Sequence, residues 1–410
     1  MLALEITFWI AAGLIVYSYA IYPVILRGLV RLSKWRQREA SASQHSHGEN
    51  RHVSAETQPF VSLIIAAYKE ESIILQRLHN ALQMDYPADR LEIIVGCDGA
   101  EDNTGELVKT IDDSRVKLMQ FPQRRGKPSV LNDCVLEARG EILTFSDANT
   151  FWEPQALKKL VRHFQAEKTG GVCGQLVLTD PETGENVDGL YWRYENFLKK
   201  CEGKLGALLG VNGAIYAIRK EMWEPIPANS IVDDFLIGMR VHLKQHKLIF
   251  EEEAIAHEES APTMGAEFHR RARIGAGGFQ SLVWLAKLLL PTYGMVSLAF
   301  WSHKVLRWFC PLFMIVALIT NVALIQIPVY QYLLVAQLAF YGLALLGNLI
   351  PGNGFGLRLV RLTSMFLNMN AALAVGFWRW FRNTQTGVWK RTARSQEATT
   401  ERTPKEPIAN

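Results

Sequence analysis

The stretch "EILTFSDANTFWEP", from Glu141 to Pro154, joins a strand-like apolar run to polar side chains. Ile142 to Phe145 is the apolar run, and Asp147 and Asn149 follow it. Residues two apart on an extended chain point to the same side, so both side chains can present oxygen atoms to one object. That object is either a hard divalent cation or nothing more than a turn, because Asp and Asn also begin turns by bonding their own backbone. The fragment alone leaves both interpretations open.

Apolar and amphipathic segments alternate in the chain before this stretch. We predict strands and helices in turn over Val61–Ala66, Glu70–Leu82, Glu92–Val95, Thr104–Ile111, Val116–Gln120, Ser129–Ala138 and Ile142–Phe145. This alternation predicts an α/β fold with a mostly parallel sheet covered by helices on both faces. Ligands bind outside the carboxyl ends of such strands, so Tyr68, Asp98 and Asp147 should meet at one edge of the sheet.

Several classes of function lose support from the sequence. Neither Gly-x-Gly-x-x-Gly nor Gly-Lys-Ser/Thr follows the first predicted strand, which argues against hydride transfer and nucleoside triphosphate hydrolysis. The formal net charge of +4 is too small to indicate a nucleic acid partner. The five cysteines include no Cys-x-x-Cys pair, which favours reduced, structural cysteines over a disulfide frame or a zinc site.

Charge is distributed unevenly along the 410 residues. It concentrates between Lys34 and Arg273, whereas the first thirty residues and Ser281–Phe381 are mostly apolar. Ile6–Leu26 carries no charge over a length close to the roughly 20 residues that cross a bilayer. By the positive-inside rule, the cations after it place the soluble part of the chain in the cytosol; they are Arg27, Arg31, Lys34, Arg36 and Arg38. We therefore expect a multi-pass protein of the cell inner (plasma) membrane, with membrane lipids as partners.

The C-terminal region contains several further apolar segments. Arg307–Ile325 and Tyr330–Ile350 are predicted to span the membrane. Ser281–Phe300 is broken by a lysine, a proline and a glycine, and is predicted to form helices in the interface. Leu362–Phe381 stays open, because two asparagines interrupt it and basic residues lie on both sides.

Six motifs follow one another between Val61 and Gln280. They are "VSLIIAAYKEE" (Val61–Glu71), "IIVGCDGAEDNT" (Ile93–Thr104), "RRGKPSVLN" (Arg124–Asn132), "FSDANT" (Phe145–Thr150), "VDDFLIG" (Val232–Gly238) and "FHRRARIGAGGFQ" (Phe268–Gln280). In this order, and in a chain with membrane segments, they resemble the membrane-associated family 2 glycosyltransferases. That group includes the cellulose, chitin, hyaluronan and poly-N-acetylglucosamine synthases. The resemblance covers Pro59 to about Arg394 and implies a GT-A fold, a Rossmann-like mixed sheet.

The resemblance and the charge pattern together divide the chain into six parts. We expect an N-terminal transmembrane helix (1–31), a linker (32–58), a GT-A glycosyltransferase domain (59–280), interfacial helices (281–304), a C-terminal transmembrane region (305–382) and a basic, partly disordered tail (383–410).

The resemblance also implies a donor site. Asp147 and Asn149 would hold Mg²⁺ or Mn²⁺ against the diphosphate of a UDP-sugar, since these ions prefer a few carboxylates plus substrate phosphates. Many relatives carry a second Asp where this chain has Asn149, and the amide lowers the negative charge of the site. Four side chains are implied in donor binding, three at the uridine and the last at the ribose or phosphates: Tyr68, Glu70, Asp98 and Lys127.

The motif "VDDFLIG" is implied to supply the general base, and we expect Asp234 to act. Adjacent side chains at a helix start diverge, so Asp233 and Asp234 should not share a proton. Alternatively, both acids simply favour the positive end of the predicted helix Asp233–Gln245, an effect of about 0.3–1 kcal/mol each. The acceptor is implied to contact Asn212, Gly213 and Asp233, because a glycine lets the backbone approach a ligand closely.

The last motif departs from the processive synthases. Many of them read Gln-x-x-Arg-Trp, with the arginine near the diphosphate and the tryptophan under the acceptor sugar. The aligned residues here run from Arg270 to Ile274 as Arg-Arg-Ala-Arg-Ile. Arg270 and Arg273 are thus implied at the diphosphate, and Ile274 replaces the stacking ring. A basic helix on anionic headgroups would also explain these arginines.

These features predict an inverting, metal-dependent glycosyltransferase. It would move a sugar from a UDP-sugar to a lipid-linked or polysaccharide acceptor at the cytoplasmic membrane face, with one base activating the acceptor hydroxyl for a single in-line displacement. One alternative is a processive exopolysaccharide synthase that also secretes its polymer, working with membrane partner subunits. Another is a non-catalytic, sugar-nucleotide-binding membrane regulator, which should have lost a base or a metal carboxylate.

Overall fold

The structure is a computed structural model that describes residues 1–43, 58–99, 101–180, 189–260, 264–347 and 355–387. About half of the predicted linker and most of the predicted tail lie outside the described residues. The chain forms two compact units. The helical unit comprises Met1–Leu29 and Glu267–Gln385, and the sheet unit comprises Val30–Ala266 and Thr386–Asn410.

Helices occur in both units. Within the described ranges they are α1 (Leu2–Val16), α2 (Tyr22–Ser43), α3 (Ile74–Leu82), α4 (Thr104–Lys109), α5 (Lys127–Glu137), α6 (Ala156–Val161), α7 (Leu190–Lys204), α8 (Asp233–Leu243), α9 (Met264–Trp284), α10 (Met295–Ala299), α11 (Leu306–Trp308), α12 (Cys310–Ala323), α13 (Pro328–Gly347) and α14 (Phe355–Phe381). Two π-helical turns, Tyr17–Ile21 and Phe300–Val305, connect α1 to α2 and α10 to α11.

The sheet unit is built on one mixed sheet. Its strands are β1 (Val61–Ala67), β2 (Leu91–Asp98), β3 (Val116–Phe121), β4 (Ile142–Asp147), β5 (Phe151–Trp152), β6 (Thr169–Thr179), β7 (Tyr216–Arg219) and β8 (Lys247–Glu259). In the order β3-β2-β1-β4-β7-β6-β8-β5, the first four strands are parallel, and β7 lies antiparallel to both β4 and β6. The predicted α/β fold with a Rossmann-like mixed sheet is confirmed.

Burial explains why β1 and β2 lie inside the sheet. Every residue of both strands is buried, and Leu63, Ile65 and Ile93 share a buried cluster with Leu78 of α3. Full burial of such a side chain stabilises the fold by about 1.5–3 kcal/mol. The continuous apolar runs in the sequence are therefore strands covered on both faces.

Helix α3 begins four residues later than predicted, at Ile74 instead of Glu70. Ile73, directly before the helix, has a φ of −136° and a ψ of −16°, which lie outside the α-helical region. The Glu70 amide donates to Thr104 Oγ1 at 2.9 Å. The chain therefore makes a turn after β1 before the helix starts.

The carboxyl ends of β1, β2 and β4 meet at one edge, as predicted. Ala66 lies opposite Asp147 in the parallel register of β1 and β4, and β2 ends at Asp98. Tyr68 directly follows β1. The structure thus places Tyr68, Asp98 and Asp147 at the same edge of the sheet.

The described part of the chain contains two helices that are long and apolar enough to cross a membrane. One is Leu2–Trp35, which runs through the first π-helical turn, and the other is Pro328–Gly347. A third candidate is a bent pair, Met295–Trp308 and Cys310–Ala323, whose axes meet at 58°. The predicted spans in these regions correspond to helices, although α12 begins at Cys310, with a proline in its first turn.

Helix α14 covers the segment whose location the sequence left open. It is continuous over 27 residues but is not among the candidate spans. Elsewhere in the helical unit, Phe8 and Ala11 of α1 share a buried cluster with Ala317 of α12 and Tyr330 of α13.

The cysteines are all buried free thiols: Cys97, Cys134, Cys173, Cys201 and Cys310. Burial raises the pKa of Cys97 and of Cys134 to about 12. In the described part of the chain they act as small apolar side chains, in agreement with the prediction from their spacing.

Candidate active site

Lys127 is the centre of a charged cluster at the carboxyl edge of the sheet. Its Nζ lies 2.5 Å from Asp147 Oδ1 and 3.9 Å from Asp233 Oδ2. The three side chains come from α5, β4 and α8, and only 15% of the Lys127 side chain is exposed. Three elements that are distant in sequence therefore meet at one ammonium group.

Electrostatics in this cluster favour the charged form of Lys127 and oppose the charged form of Asp234. Burial alone would lower the pKa of Lys127, but Asp147 and Asp233 raise it above its usual value. Burial and the neighbouring Asp233 raise the pKa of Asp234 to about 6, against the opposing effect of Lys127. A carboxylate that gains its proton near neutral pH suits general base catalysis.

Asp98 holds the loop that presents Lys127. Its Oδ1 accepts from the Arg125 amide at 2.7 Å, and its Oδ2 accepts from the Gly126 amide at 2.8 Å. Gly126 has a φ of 89°, a conformation that favours glycine, and it directly precedes α5. Asp98 was predicted at the uridine. That role stays a prediction, and in the structure both of its oxygens bind the loop backbone.

Tyr68 lies beside two charged side chains. The Arg124 guanidinium lies 3.7 Å from the centre of the Tyr68 ring. The Tyr68 hydroxyl lies 3.2 Å and 3.3 Å from the two carboxylate oxygens of Glu101, and Lys69 Nζ lies 2.7 Å from the same carboxylate. The Tyr68 ring is therefore in contact with a cation.

Gly213 lies directly against the charged cluster. A Cβ added there would come within 3.1 Å of Asp147 Oδ2 and 3.4 Å of Lys127 Nζ. The backbone of Gly213 therefore lies close to the carboxylate of Asp147. Asn212 has a structural role, because its amide donates to the Gly174 carbonyl at 3.1 Å and accepts from the Ile215 amide at 3.1 Å. Contact of either residue with an acceptor stays a prediction.

The loop after β4 is fixed by side chains that the sequence did not reveal. Asn80 bonds both the amide and the carbonyl of Trp152 at 2.9 Å. The Trp152 indole donates to the Ala214 carbonyl at 2.9 Å. These hydrogen bonds link α3 to the backbone next to Gly213. The polar Asn80 within the amphipathic helix α3 was the available signal, but its partner lies 72 residues away.

The residues present fit a divalent cation that a substrate helps to hold. Asp147 Oδ2 lies beside the backbone of Gly213, 3.1 Å from the position that a Cβ would take. Asn149 uses its amide nitrogen to donate to Glu258 at 3.1 Å, which leaves its carbonyl oxygen for a cation. Within the described ranges, no three His, Cys, Asp or Glu side chains form a complete metal cage. Mg²⁺ and Mn²⁺ commonly bind to one or two carboxylates plus phosphates.

Arg270 and Arg273 belong to the helical unit, on α9. Arg270 Nε donates to Glu267 at 2.8 Å, and Arg271 lies 2.7 Å from the same carboxylate. Their predicted position at the diphosphate stays a prediction.

Comparisons with known proteins agree with this geometry. The family model "Glycosyl transferase family 2" matches residues 62–223. Residues 62–223 form a domain of the family 2 glycosyltransferase type. The match supports a glycosyltransferase enzyme over a non-catalytic regulator. The matched segment includes Tyr68, Asp98, Lys127 and Asp147, whereas Asp234 lies beyond it.

This chain is similar in sequence to two curated relatives with different named products. It is 24% identical over 230 residues to poly-beta-1,6-N-acetyl-D-glucosamine synthase of Staphylococcus epidermidis. The matched segment covers 54% of this chain and 55% of that protein. It is 26% identical over 242 residues to beta-monoglucosyldiacylglycerol synthase of Trichormus variabilis. The matched segment covers 56% of this chain and 52% of that protein. The match thus spans about half the length of these relatives.

A solved structure shows the same fold. The mannosyltransferase PcManGT of Pyrobaculum calidifontis, in complex with GDP-Man and Mn²⁺, matches with a TM-score of 0.65 and 20% identity. The match covers 92% of this chain and 99% of that chain. The glycosyltransferase described here has a GT-A fold.

Proposed function

We propose that this glycosyltransferase is inverting and metal-dependent. It moves a sugar from a UDP-sugar to a lipid-linked or polysaccharide acceptor at the cytoplasmic face of the membrane. The observation that carries the proposal is the cluster of Asp147, Asp233 and Asp234 around the buried Lys127, next to the backbone of Gly213.

Asp234 is the proposed base. It takes the proton of the acceptor hydroxyl as that oxygen attacks the anomeric carbon, and the nucleoside diphosphate leaves from the opposite side. A single displacement of this kind inverts the configuration. The raised pKa of about 6 keeps Asp234 ionised at neutral pH while making it a better proton acceptor than an ordinary carboxylate.

Lys127 and Asp147 act on the leaving group. The Lys127 ammonium can donate to the diphosphate oxygens, where negative charge increases during transfer. Asp147, assisted by the Asn149 carbonyl, would hold Mg²⁺ or Mn²⁺ on the same phosphates. The bound ion would neutralise charge on the departing diphosphate.

The donor and acceptor assignments rest on the family resemblance and the relatives. Tyr68, Glu70 and Asp98 are proposed to line the uridine pocket, and Arg270 and Arg273 to contact the diphosphate. One relative is named for a polysaccharide and another for a glycolipid, which supports an acceptor associated with the membrane. The candidate spans and the cations that follow the first one support a multi-pass plasma-membrane protein with a cytosolic catalytic domain.

The test is release of nucleoside diphosphate by the detergent-purified full chain. A panel of UDP-sugars is assayed with membrane lipid acceptors, with GDP-mannose included because of the GT-A neighbour. Each donor is measured with Mg²⁺, Mn²⁺ or chelator. We expect release from a UDP-sugar, loss of activity with chelator, and a decrease of at least about 100-fold in Asp234→Asn. The control is Asp89→Asn, a surface carboxylate with 81% side-chain exposure, which should retain activity.

Two outcomes would contradict the proposal. Full activity of Asp234→Asn removes this residue as the base. Activity that persists in chelator, after dialysis against it, removes the metal requirement.

Product length from the same reactions then separates single transfer from processive synthesis, and the replacement of the stacking ring by Ile274 favours single transfer.

A further inference from the structure

We propose that Lys127 holds the metal-binding carboxylate of Asp147 while no donor is bound. A divalent cation then binds tightly only together with the nucleoside diphosphate. Lys127 thereby couples the two ligands to each other. This inference rests on the proposed function, because it assumes that Asp147 binds the metal.

The contact between Lys127 and Asp147 is close and shielded. Nζ lies 2.5 Å from Asp147 Oδ1, and the exposed fractions of the two side chains are 15% and 34%. A second carboxylate approaches the same ammonium, since Asp233 Oδ2 lies 3.9 Å away, is buried and accepts no hydrogen bond in the described part of the chain. The positive charge of Lys127 therefore lies close to two carboxylates and opposes the approach of a metal cation to either of them.

A metal ion and an ammonium compete for the same carboxylate. If a divalent cation binds through Asp147 Oδ2 while Lys127 stays on Oδ1, two positive centres share one carboxyl group and repel each other. Water screens this repulsion only weakly, because the ammonium is mostly buried. Metal binding without a donor is therefore weakened as long as Lys127 keeps its position.

Binding of the diphosphate removes this competition. Its oxygens offer the ammonium new acceptors, and the flexible four-carbon stem of a lysine lets Nζ move toward them. The added negative charge also attracts the metal directly. By thermodynamic linkage, the metal must then strengthen nucleotide binding by the same factor.

The coupling makes two predictions for Mn²⁺ binding by the full chain, followed by the electron paramagnetic resonance signal of free Mn²⁺. In the wild type, UDP should tighten Mn²⁺ binding by more than about tenfold. In Lys127→Met, Mn²⁺ alone should bind more than about tenfold tighter than in the wild type, and UDP should tighten Mn²⁺ binding by a smaller factor than in the wild type, because only the direct attraction between metal and diphosphate is left. The same Mn²⁺ titrations are repeated with GDP in place of UDP, because the GT-A neighbour binds a GDP-sugar.

Two control variants separate coupling from loss of a structural ion pair. Lys127→Arg keeps the positive charge and should keep Mn²⁺ binding weak in the absence of UDP. Lys117→Met removes an exposed lysine that lies 2.5 Å from Glu137, and it should behave as the wild type in both titrations. Thermal unfolding of each variant checks that the protein is folded.

The wild-type titration keeps the inference testable if Lys127→Met does not fold. Equal Mn²⁺ affinity with and without UDP overturns the coupling while leaving a metal-dependent enzyme. Unchanged Mn²⁺ affinity in a folded Lys127→Met overturns the role of Lys127. Absence of Mn²⁺ binding under every condition, nucleotide included, contradicts the metal-dependent function itself.

Discussion

Asp98→Asn tests how the structure positions Lys127. The Asp98 carboxylate accepts two backbone hydrogen bonds, from Arg125 at 2.7 Å and from Gly126 at 2.8 Å. The residue is only 4% exposed. An asparagine has one acceptor oxygen, so its amide group would face the second backbone N–H as another donor. One of the two bonds is lost, and a buried N–H is left without an acceptor.

The expected loss of stability follows from these two contacts. A hydrogen bond to a charged acceptor contributes about 1.5–3 kcal/mol, and burial removes water as a replacement partner. We therefore expect Asp98→Asn to lower the free energy of unfolding by about 2–3 kcal/mol. For a domain of this size, that corresponds to a decrease in Tm of about 4–12 °C. Donor binding should weaken as well, because the released loop carries Lys127.

Differential scanning fluorimetry and calorimetric titration with UDP measure the two effects on the full chain in detergent. Asp133→Asn is the matched control, since Asp133 forms an ion pair with the side chain of Arg125 on the same loop. That pair is partly exposed and should contribute less than about 1 kcal/mol. If Asp98→Asn and Asp133→Asn have the same Tm and the same UDP affinity, Asp98 does not hold the loop.

Three further perturbations have distinct expected outcomes. Gly213→Ala places a methyl group 3.1 Å from Asp147 Oδ2, so kcat should fall at least about tenfold while Tm changes little; an unchanged kcat contradicts the close approach. Asp234 has its pKa raised to about 6, so kcat/KM should rise with pH through this value. The ionised form of this buried carboxylate destabilises the fold, so Asp234→Asn should raise the Tm at pH 8. The increase in Tm should disappear below about pH 4, where the carboxyl group is protonated in both the folded and the unfolded state. An increase that persists below pH 4 refutes burial of the charge as its cause. Asn80→Ala leaves the Trp152 amide and carbonyl without their 2.9 Å partners, and thermal unfolding should show a loss of about 2–4 kcal/mol.

Half of the sheet was accessible to sequence reasoning. The parallel strands β1, β2 and β4 are largely apolar runs, and their carboxyl ends locate Tyr68, Asp98 and Asp147 at one edge. The antiparallel part was not predicted. Its β5 has two residues and its β7 four, too few to show a periodic pattern. These strands are defined by pairing with distant partners instead of by their own composition.

The candidate site was likewise predicted only in part from the sequence. The order of the motifs identified the residue types, but not their partners. Asp98 was predicted to face a ligand, and the structure shows that the backbone of a loop 27 residues away uses its oxygens. The ion pair of Lys127 with Asp147 joins the start of a helix to the end of a strand. Such contacts depend on tertiary structure, which local propensity does not report.

The burial of every native cysteine makes this protein suitable for mapping by chemical labelling. A buried thiol with a raised pKa reacts slowly with maleimides, because the thiolate is the reactive form. The folded wild type should therefore give little background. A single cysteine introduced at Phe381, the last residue of α14, which is 64% exposed, would then be the most reactive thiol in the chain. Impermeant and permeant reagents applied to sealed vesicles would assign this helix end to one side of the membrane.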